Sequence, residues 1–272
     1  MAMGFTNDFK NIARSGSGIP TMTPTYIGQV YVDNDTLNIY TATATNGAYN
    51  WAFTGKGASS SFDVDTVSNM FAWWDASENI TYDSGNIVTT WVDKVNGWGL
   101  TVHNSPEYVA AWENGKPAVK IIPDNNFYLD HADTGTANTS FSVISIDDTY
   151  TGDKCVVYGA AYVKVGVDGN PSQFYIDHPS YTKLGTYTTG SIYLIVNQNT
   201  GSDRYAQLND DAKVFIAAGS EAVDATKIGG TWGTGAYDVK CHIAEHIIYN
   251  ASLSDENIAI VKAYLNNKYA IY

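Results

Sequence analysis

The chain has 272 residues and a formal net charge of −13, and its aromatic content of 13% includes 20 Tyr and 7 Trp. That length suits one large β domain, or a domain with an appendage, and buries a full core. The acidity argues against binding nucleic acid or an anionic membrane through a general electrostatic field, and the aromatic content favours strands over helices.

No apolar run approaches the length of a bilayer span, so no membrane insertion is expected, and the start MAMGFTNDFK lacks the apolar segment of a signal peptide. The expectation is a soluble protein that reaches the outside of a cell, if at all, without a cleaved signal. Residues 1–22 read as an arm, because Arg14-Ser15-Gly16-Ser17-Gly18 has the composition of a flexible linker. Such an arm is either disordered alone or ordered on a partner.

Residues 23–57 read as a small β module. Two alternating runs, Gln29 to Val32 and Leu37 to Ala42, flank Asp33-Asn34-Asp35-Thr36, which is a hairpin signal. So short a unit buries little core alone and is expected to pack on a larger domain, a copy of itself or another assembly. Gly55 to Ser61 follows as a linker.

Residues 58–272 carry short β-like runs broken by Gly, Asn, Asp and Pro: Phe141 to Ile146, Cys155 to Val165, Phe174 to Ile176, Ser191 to Val196, Val214 to Ala218 and Val239 to Tyr249. Strands at this spacing, with almost no helical stretch before the C-terminus, predict an all-β antiparallel sandwich. Cys155 and Cys241 lie in apolar β-like runs and read as buried free thiols. From Lys240 to Tyr269 the hydrophobic period changes. Ile243 to Tyr249 is an apolar strand ending at Asn250, and from the N-cap Ser254 the residues Ile258, Val261 and Leu265 fall at helical spacing. Asp255 and Glu256 suit the positive end of the helix dipole and Lys262 and Lys268 the later turns. One helix closing a strand-rich chain is expected to lie across a sheet edge or a sheet end.

His242-Ile243-Ala244-Glu245-His246 fits the H-x-x-E-H pattern of zinc proteases, but that pattern works on a helix. On a strand the two imidazoles would share one face about 13 Å apart, too far for one ion. His103, His131 and His178 read as surface histidines. Gly229 to Gly235 reads as a turn region, lacking the spacing of a dinucleotide fingerprint. Glycosidases need two facing carboxylates, and Glu78, Glu107, Glu113, Glu221, Glu245 and Glu256 show no pairing along the sequence, so no catalytic residue is assigned and the chain is not expected to be an enzyme. Asp124-Asn125-Asn126 and Asp168-Gly169-Asn170 are oxygen-rich turns; turn chemistry accounts for them without an ion, so no metal or cofactor is expected, with calcium there as the alternative.

The Lys240 to Tyr269 stretch resembles the closing segment of the concanavalin A-like (LamG-type) jelly-roll domains of bacterial and phage surface proteins, in which an AE strand leads through YN and LSDE to an AYLxxKY helix. Phe71 to Ser77 resembles that family's WLDAS strand, Val88 to Lys94 its VxxWxDK segment, Asn114 to Val119 its NGKPxV, and Ile228-Gly229-Gly230 its IGG. The resemblance implies a jelly roll with a C-terminal helix, with Trp74 and Trp91 as core anchors and Asp75 and Asp93 bonding loop backbone. Tyr26, Ile27, Gly28, Gln29, Tyr31, Asp33, Ile39, Tyr40, Ala42 and Trp51 resemble a small module of phage tail and fibre proteins. Together these imply a fibre or decoration protein on a phage particle, made in the host cytoplasm and outside the cell after release. It would attach to other virion proteins through its N-terminal arm and module, assemble as a homo-oligomer with a trimer favoured, and display a lectin-like domain to host-surface glycans. The alternatives are a structural decoration protein without sugar binding and a glycan-cleaving enzyme.

A sugar site is expected on loops at one rim of the sandwich, where aromatic platforms adjoin amides and carboxylates. The stretches richest in that mixture are Asn197 to Tyr205, with Asn199, Asp203, Arg204 and Tyr205, and Thr231 to Tyr237, with Trp232 and Tyr237.

Overall fold

A computed structural model describes residues 14–16, 21, 30–33, 38–43, 51–56, 64–103, 105–122, 128–131, 139–149, 154–158, 162–165, 172–177, 181–218, 226–228 and 239–272. The chain forms two compact units, Met1–Asp63 and Val64–Tyr272.

In the first unit β1 (Arg14–Gly16), β2 (Val30–Asp33), β3 (Asn38–Ala42) and β4 (Trp51–Lys56) form one sheet in that order. The hairpin expected from the two alternating runs is β2 and β3, with Tyr31 opposite Tyr40 and their rings meeting edge-on at 6.5 Å. Two expectations are corrected. Arg14–Gly16 pairs in parallel with β2 instead of running free, since the unpaired edge of a strand templates any extended segment beside it. Gly55 and Lys56 belong to β4, opposite Ile39 and Asn38, and not to a linker.

The second unit opens with a 3-10 turn (Val64–Thr66), then β5 (Met70–Asp75), β6 (Ile80–Tyr82), β7 (Val88–Val92), β8 (Gly99–His103), β9 (Glu107–Val109) and β10 (Ala118–Ile121). It continues through β11 (Tyr128–His131), β12 (Thr139–Ile146), β13 (Lys154–Tyr158), β14 (Tyr162–Val165), β15 (Gln173–Asp177) and β16 (Tyr181–Thr186). The last strands are β17 (Ile192–Asn199), β18 (Asp203–Leu208), β19 (Val214–Ala218), β20 (Thr226–Ile228) and β21 (Cys241–Tyr249), followed by α1 (Asp255–Tyr269). Among the described residues the first sheet has eight strands in the order β19-β18-β17-β12-β21-β10-β9, with β5 also on β21, and the second has nine in the order β16-β15-β14-β13-β20-β11-β8-β7-β6. Trp74, Val119, Ile144, Ile195 and Ile243 of the first sheet share one core with Trp91, Leu100, Val156, Phe174 and Ile176 of the second. The unit is therefore an all-β antiparallel sandwich, with Trp74 and Trp91 fully buried as anchors.

α1 starts where expected. Ser254 is its N-cap, with Oγ accepting from Asn257 N–H at 3.2 Å, and Ala270 ends it in the left-handed region, with its N–H on Asn266 O. Ile258, Val261 and Leu265 pack with Phe141, Val143, Leu194, Val196, Ala244 and Ile247 in a second core. The helix thus covers the outer face of the central strands β12, β17 and β21, and not a sheet edge or end. Those strands carry apolar residues on both faces, so their outer face needs a cover.

β21 contains the irregularity that decides which side chains reach that cover. Glu245 stands opposite Val143 and Ile243 opposite Ile144, which leaves Ala244 as an extra residue, a β-bulge. At the same point β21 changes its other neighbour, from β10 along Cys241 to Ile243 to β5 along Glu245 to Tyr249. Cys241 is fully buried.

Candidate functional site

β18 alternates, and its inner residues Ala206 and Leu208 belong to the core between the sheets. Asp203, Tyr205 and Gln207 therefore face the side on which α1 lies. Tyr205 meets Phe215 of β19 edge-on at 5.7 Å, and Phe215 is 52% exposed. Lys213 stands 5.7 Å from the Tyr205 ring and donates to Gln198 Oε1 at 2.9 Å and to Asp255 Oδ1.

Beside this platform runs an open groove of about 460 Å³ between α1 and the β18–β19 edge. One wall is a single stripe of the helix, Asp255, Ile258, Ala259, Lys262, Ala263 and Asn266, spaced to run about 16 Å along its axis. Gln207, Asp210 and Lys213 form the opposite wall. Tyr272 closes one end, its backbone N–H held by Asn266 Oδ1 at 2.9 Å. Lys262 Nζ donates to Asp210 Oδ1 at 2.9 Å and lies 5.9 Å from the Tyr272 ring. The hydrogen bond from Lys213, with its charge, holds the Asp255 carboxyl below the usual carboxylate range. Burial, aided by the Asp210 charge, pushes the Tyr272 phenol up to about 12, so at neutral pH it remains a hydrogen-bond donor. The groove joins small apolar side chains, the Tyr272 ring, ammonium donors, amides and carboxylates, and Lys213 links it to the Tyr205 platform.

Of the residues expected to bind sugar, Tyr205 and Asp203 lie on the outward face of β18, with Tyr205 joined to the groove through Lys213. Arg204 is 6% exposed on the inward face of β18, with Ala206 and Leu208, and Asn199 does not join them either. It is 2% exposed and its Oδ1 accepts from Gly201 N–H at 2.9 Å, so it shapes the β17–β18 turn. The supposed loop is a strand, a tight turn and a strand, because residues 195–199 and 204–208 pair in register. Trp232 and Tyr237 lie outside the described residues, as do the Asp124 and Asp168 turns. Sequence alone does not mark Lys213, Lys262, Gln207 and Tyr272 as ligand contacts; the helical period puts Asp255, Ala259 and Lys262 on one stripe, but nothing local to the sequence shows that β18 and β19 face it.

A second polar constellation gathers residues from the distant motifs. Asp75 and Glu245 are directly opposite on β5 and β21. Glu245 Oε1 accepts from Trp73 Nε1 at 2.6 Å, and its Oε2 accepts from Lys268 Nζ at 2.8 Å and from the Tyr269 hydroxyl at 2.9 Å. Asp75 Oδ2 accepts from Lys268 at 2.6 Å, and Oδ1 from the Ser77 backbone and hydroxyl. Burial foremost, then the Asp75 charge, pushes the Glu245 carboxyl up. Burial works against ionised Asp75 too, but the charge and hydrogen bond of Lys268 outweigh it and leave that carboxyl lowered. Here is a facing carboxylate pair that reading along the sequence does not reveal. Its side chains are 2% and 0% exposed, so it ties α1 to the sheet and is closed to a substrate.

The two histidines of the H-x-x-E-H pattern are held apart, for a reason different from the expected one. Cys241 and Ile243 face the core between the sheets, so His242 faces the helix side, where it stacks on Trp112 and contacts Asp147 at 3.0 Å. After the Ala244 bulge the parity is inverted, and His246 points between the sheets, stacked on Trp74 and sharing a hydrogen bond with Ser142 at 2.9 Å. The two imidazoles lie on opposite faces of β21, not on one. Among the described residues no group of His, Cys, Asp and Glu has the arrangement of a metal site.

No family model and no curated protein matches the chain. Solved structures do match in fold. Trypanosoma rangeli sialidase in complex with sialic acid aligns with a TM-score of 0.56 at 13% identity, over 88% of this chain and 44% of the sialidase. A GH54 α-L-arabinofuranosidase aligns with a TM-score of 0.50 at 12% identity, over 91% of this chain and 62% of the other. The chain thus spans less than half the length of the sialidase. These likenesses concern the fold, and they correct one expectation: glycosidases are among the structures that share this sandwich, so the reading of the chain as a non-enzyme does not stand.

Proposed function

We propose that the Val64–Tyr272 unit recognises carbohydrate, with an oligosaccharide lying along the groove between α1 and the β18–β19 edge. The observation that carries this reading is the mixture in one open cleft. Sugar rings need an apolar or aromatic face, here Ala259, Ala263 and Tyr272 in the groove with the Tyr205 ring beside it, and their hydroxyls need fixed donors and acceptors, here Gln207, Lys213, Lys262 and the two aspartates. The names of the fold neighbours, a sialidase and an arabinofuranosidase, support it. Those names also favour a second reading, glycoside hydrolysis. The test is a glycan array with the full chain, followed by calorimetry on the best ligand, beside fluorogenic sialosides and 4-nitrophenyl arabinofuranosides. Binding without turnover supports recognition, turnover supports hydrolysis, and neither on any glycan removes both.

The motif matches at Tyr26 to Trp51 and through the sandwich support presentation of this unit on a phage particle by the first unit. Antibody against the sandwich should then label intact particles, and particles that remain unlabelled would remove that part of the proposal.

A further inference from the structure

Resting on the carbohydrate reading, we propose that the groove prefers an acidic glycan, whose sugar carboxylate takes the place of Asp210 on Lys262. The two partners of that ion pair are unlike. The Lys262 side chain is 9% exposed, fixed by the helix wall, whereas the Asp210 side chain is 74% exposed in the β18–β19 turn. The second groove cation repeats the asymmetry: Lys213 is 30% exposed and tied to Gln198, and its partner Asp255 is 87% exposed. In both pairs the ammonium is the less exposed partner and the carboxylate the more exposed.

An exposed aspartate that turns away into water gives up little, because exposed ion pairs are weak. A ligand carboxylate that replaces it keeps the lysine neutralised and adds the contacts of its sugar ring. The Tyr272 hydroxyl belongs to the same end of the groove and is protonated at neutral pH, so it is a donor for the same carboxylate or an adjacent sugar hydroxyl. A neutral sugar finds these cations already occupied and has to share them. The net charge of −13 opposes the approach of an anion at long range, but that field is screened within about 8 Å at physiological salt and the Lys262 contact is local.

Lys213 supplies the second point. Its partner Asp255 and Lys262 are seven residues apart on α1, about 10 Å along the helix. An acidic sugar on Lys262 thus has further units running toward Lys213 and Tyr205.

The experiment titrates the full chain with sialyllactose, with lactose and with sodium acetate. Sialyllactose should bind about tenfold more tightly than lactose, the scale of one charge-assisted hydrogen bond, and its affinity alone should fall with added salt. Acetate alone should bind weakly or not at all, since the ring contacts are missing. Lys262→Gln should abolish the preference, leaving sialyllactose no tighter than lactose on that variant, and Asp210→Asn should tighten sialyllactose by removing its competitor. If Lys262→Gln does not fold, Asp210→Asn decides: unchanged sialyllactose affinity there overturns the proposal. Equal affinity for the two sugars, or a preference that survives Lys262→Gln, overturns it while the carbohydrate reading stands. Failure of both sugars, with neutral glycans bound on the array, has the same meaning; failure of every glycan ends the reading and the proposal together.

Discussion

Asp75 and Glu245 face each other across the β5–β21 pair, and the ammonium of Lys268, from the last turn of α1, donates to both. Strand, strand and helix are thereby joined at one buried point. Lys94 adds a weaker contact, 3.8 Å from Asp75, while sitting 3.6 Å over the Trp73 ring. Removing Lys268 leaves two buried carboxylates without their shared cation. Lys268→Met should therefore cost roughly 3–5 kcal/mol in denaturant unfolding. The double variant Lys268→Met with Glu245→Gln should be more stable than Lys268→Met alone, because the second change removes one stranded charge. A double variant that is the less stable of the two would show that the joint is held by packing.

The buried His246 gives the sandwich an acid limit. Burial lowers its imidazole from the ordinary 6.5 to about 4, so the folded protein keeps it neutral where the unfolded chain protonates it. Between those values the unfolded state binds more protons, so stability is full above pH 6.5 and falls as the pH drops toward 4, by roughly 3 kcal/mol at the lower limit. Stability curves from pH 7 to 4 should lose most of this slope in His246→Gln, whatever that substitution costs at pH 7. An unchanged slope would assign the acid sensitivity to other groups.

Asp93 terminates β7's neighbourhood by accepting from four backbone N–H groups, those of Trp73 and Val95 at Oδ1 and those of Asn96 and Trp98 at Oδ2. Asp93→Ala strands the buried Trp73 N–H and loosens the turn, for a cost of about 2–4 kcal/mol. Asp93→Asn, which keeps one acceptor oxygen, should fall between this variant and the wild type. Equal melting temperatures for all three would mean that water replaces the carboxylate.

Much of this fold is legible in short stretches of sequence. The change of period after Asn250, the Ser254 cap and the hairpin around Asp33 are local signals, and local backbone preferences decide them. The roles of Trp91 and Asp93 as core anchor and loop acceptor follow from motif resemblance and hold in the structure. What sequence does not reveal is anything that turns on a single extra residue or on distant pairing. The Ala244 bulge sends His242 and His246 to opposite faces, and no side-chain pattern in that stretch announces it. The partners Asp75 and Glu245 are 170 residues apart, so no spacing rule finds them. The groove is hidden for the same reason, since one wall is a helix stripe and the other a strand edge.

Tyr205 and Asn199 lie near one another in sequence and should behave oppositely when altered. Tyr205 is a half-exposed ring between Phe215 and Lys213, and its removal takes away the apolar platform without opening the core. Tyr205→Ala should weaken the best array ligand about five- to tenfold, as expected for one lost ring contact, with little change in melting temperature. Asn199 is buried and supports the Gly201 turn, so Asn199→Ala should lower the melting temperature while leaving affinity near wild type in the folded fraction. Calorimetry and thermal melts on the two variants separate the effects. Full affinity in folded Tyr205→Ala would detach the platform from the groove and confine the sugar to the helix wall.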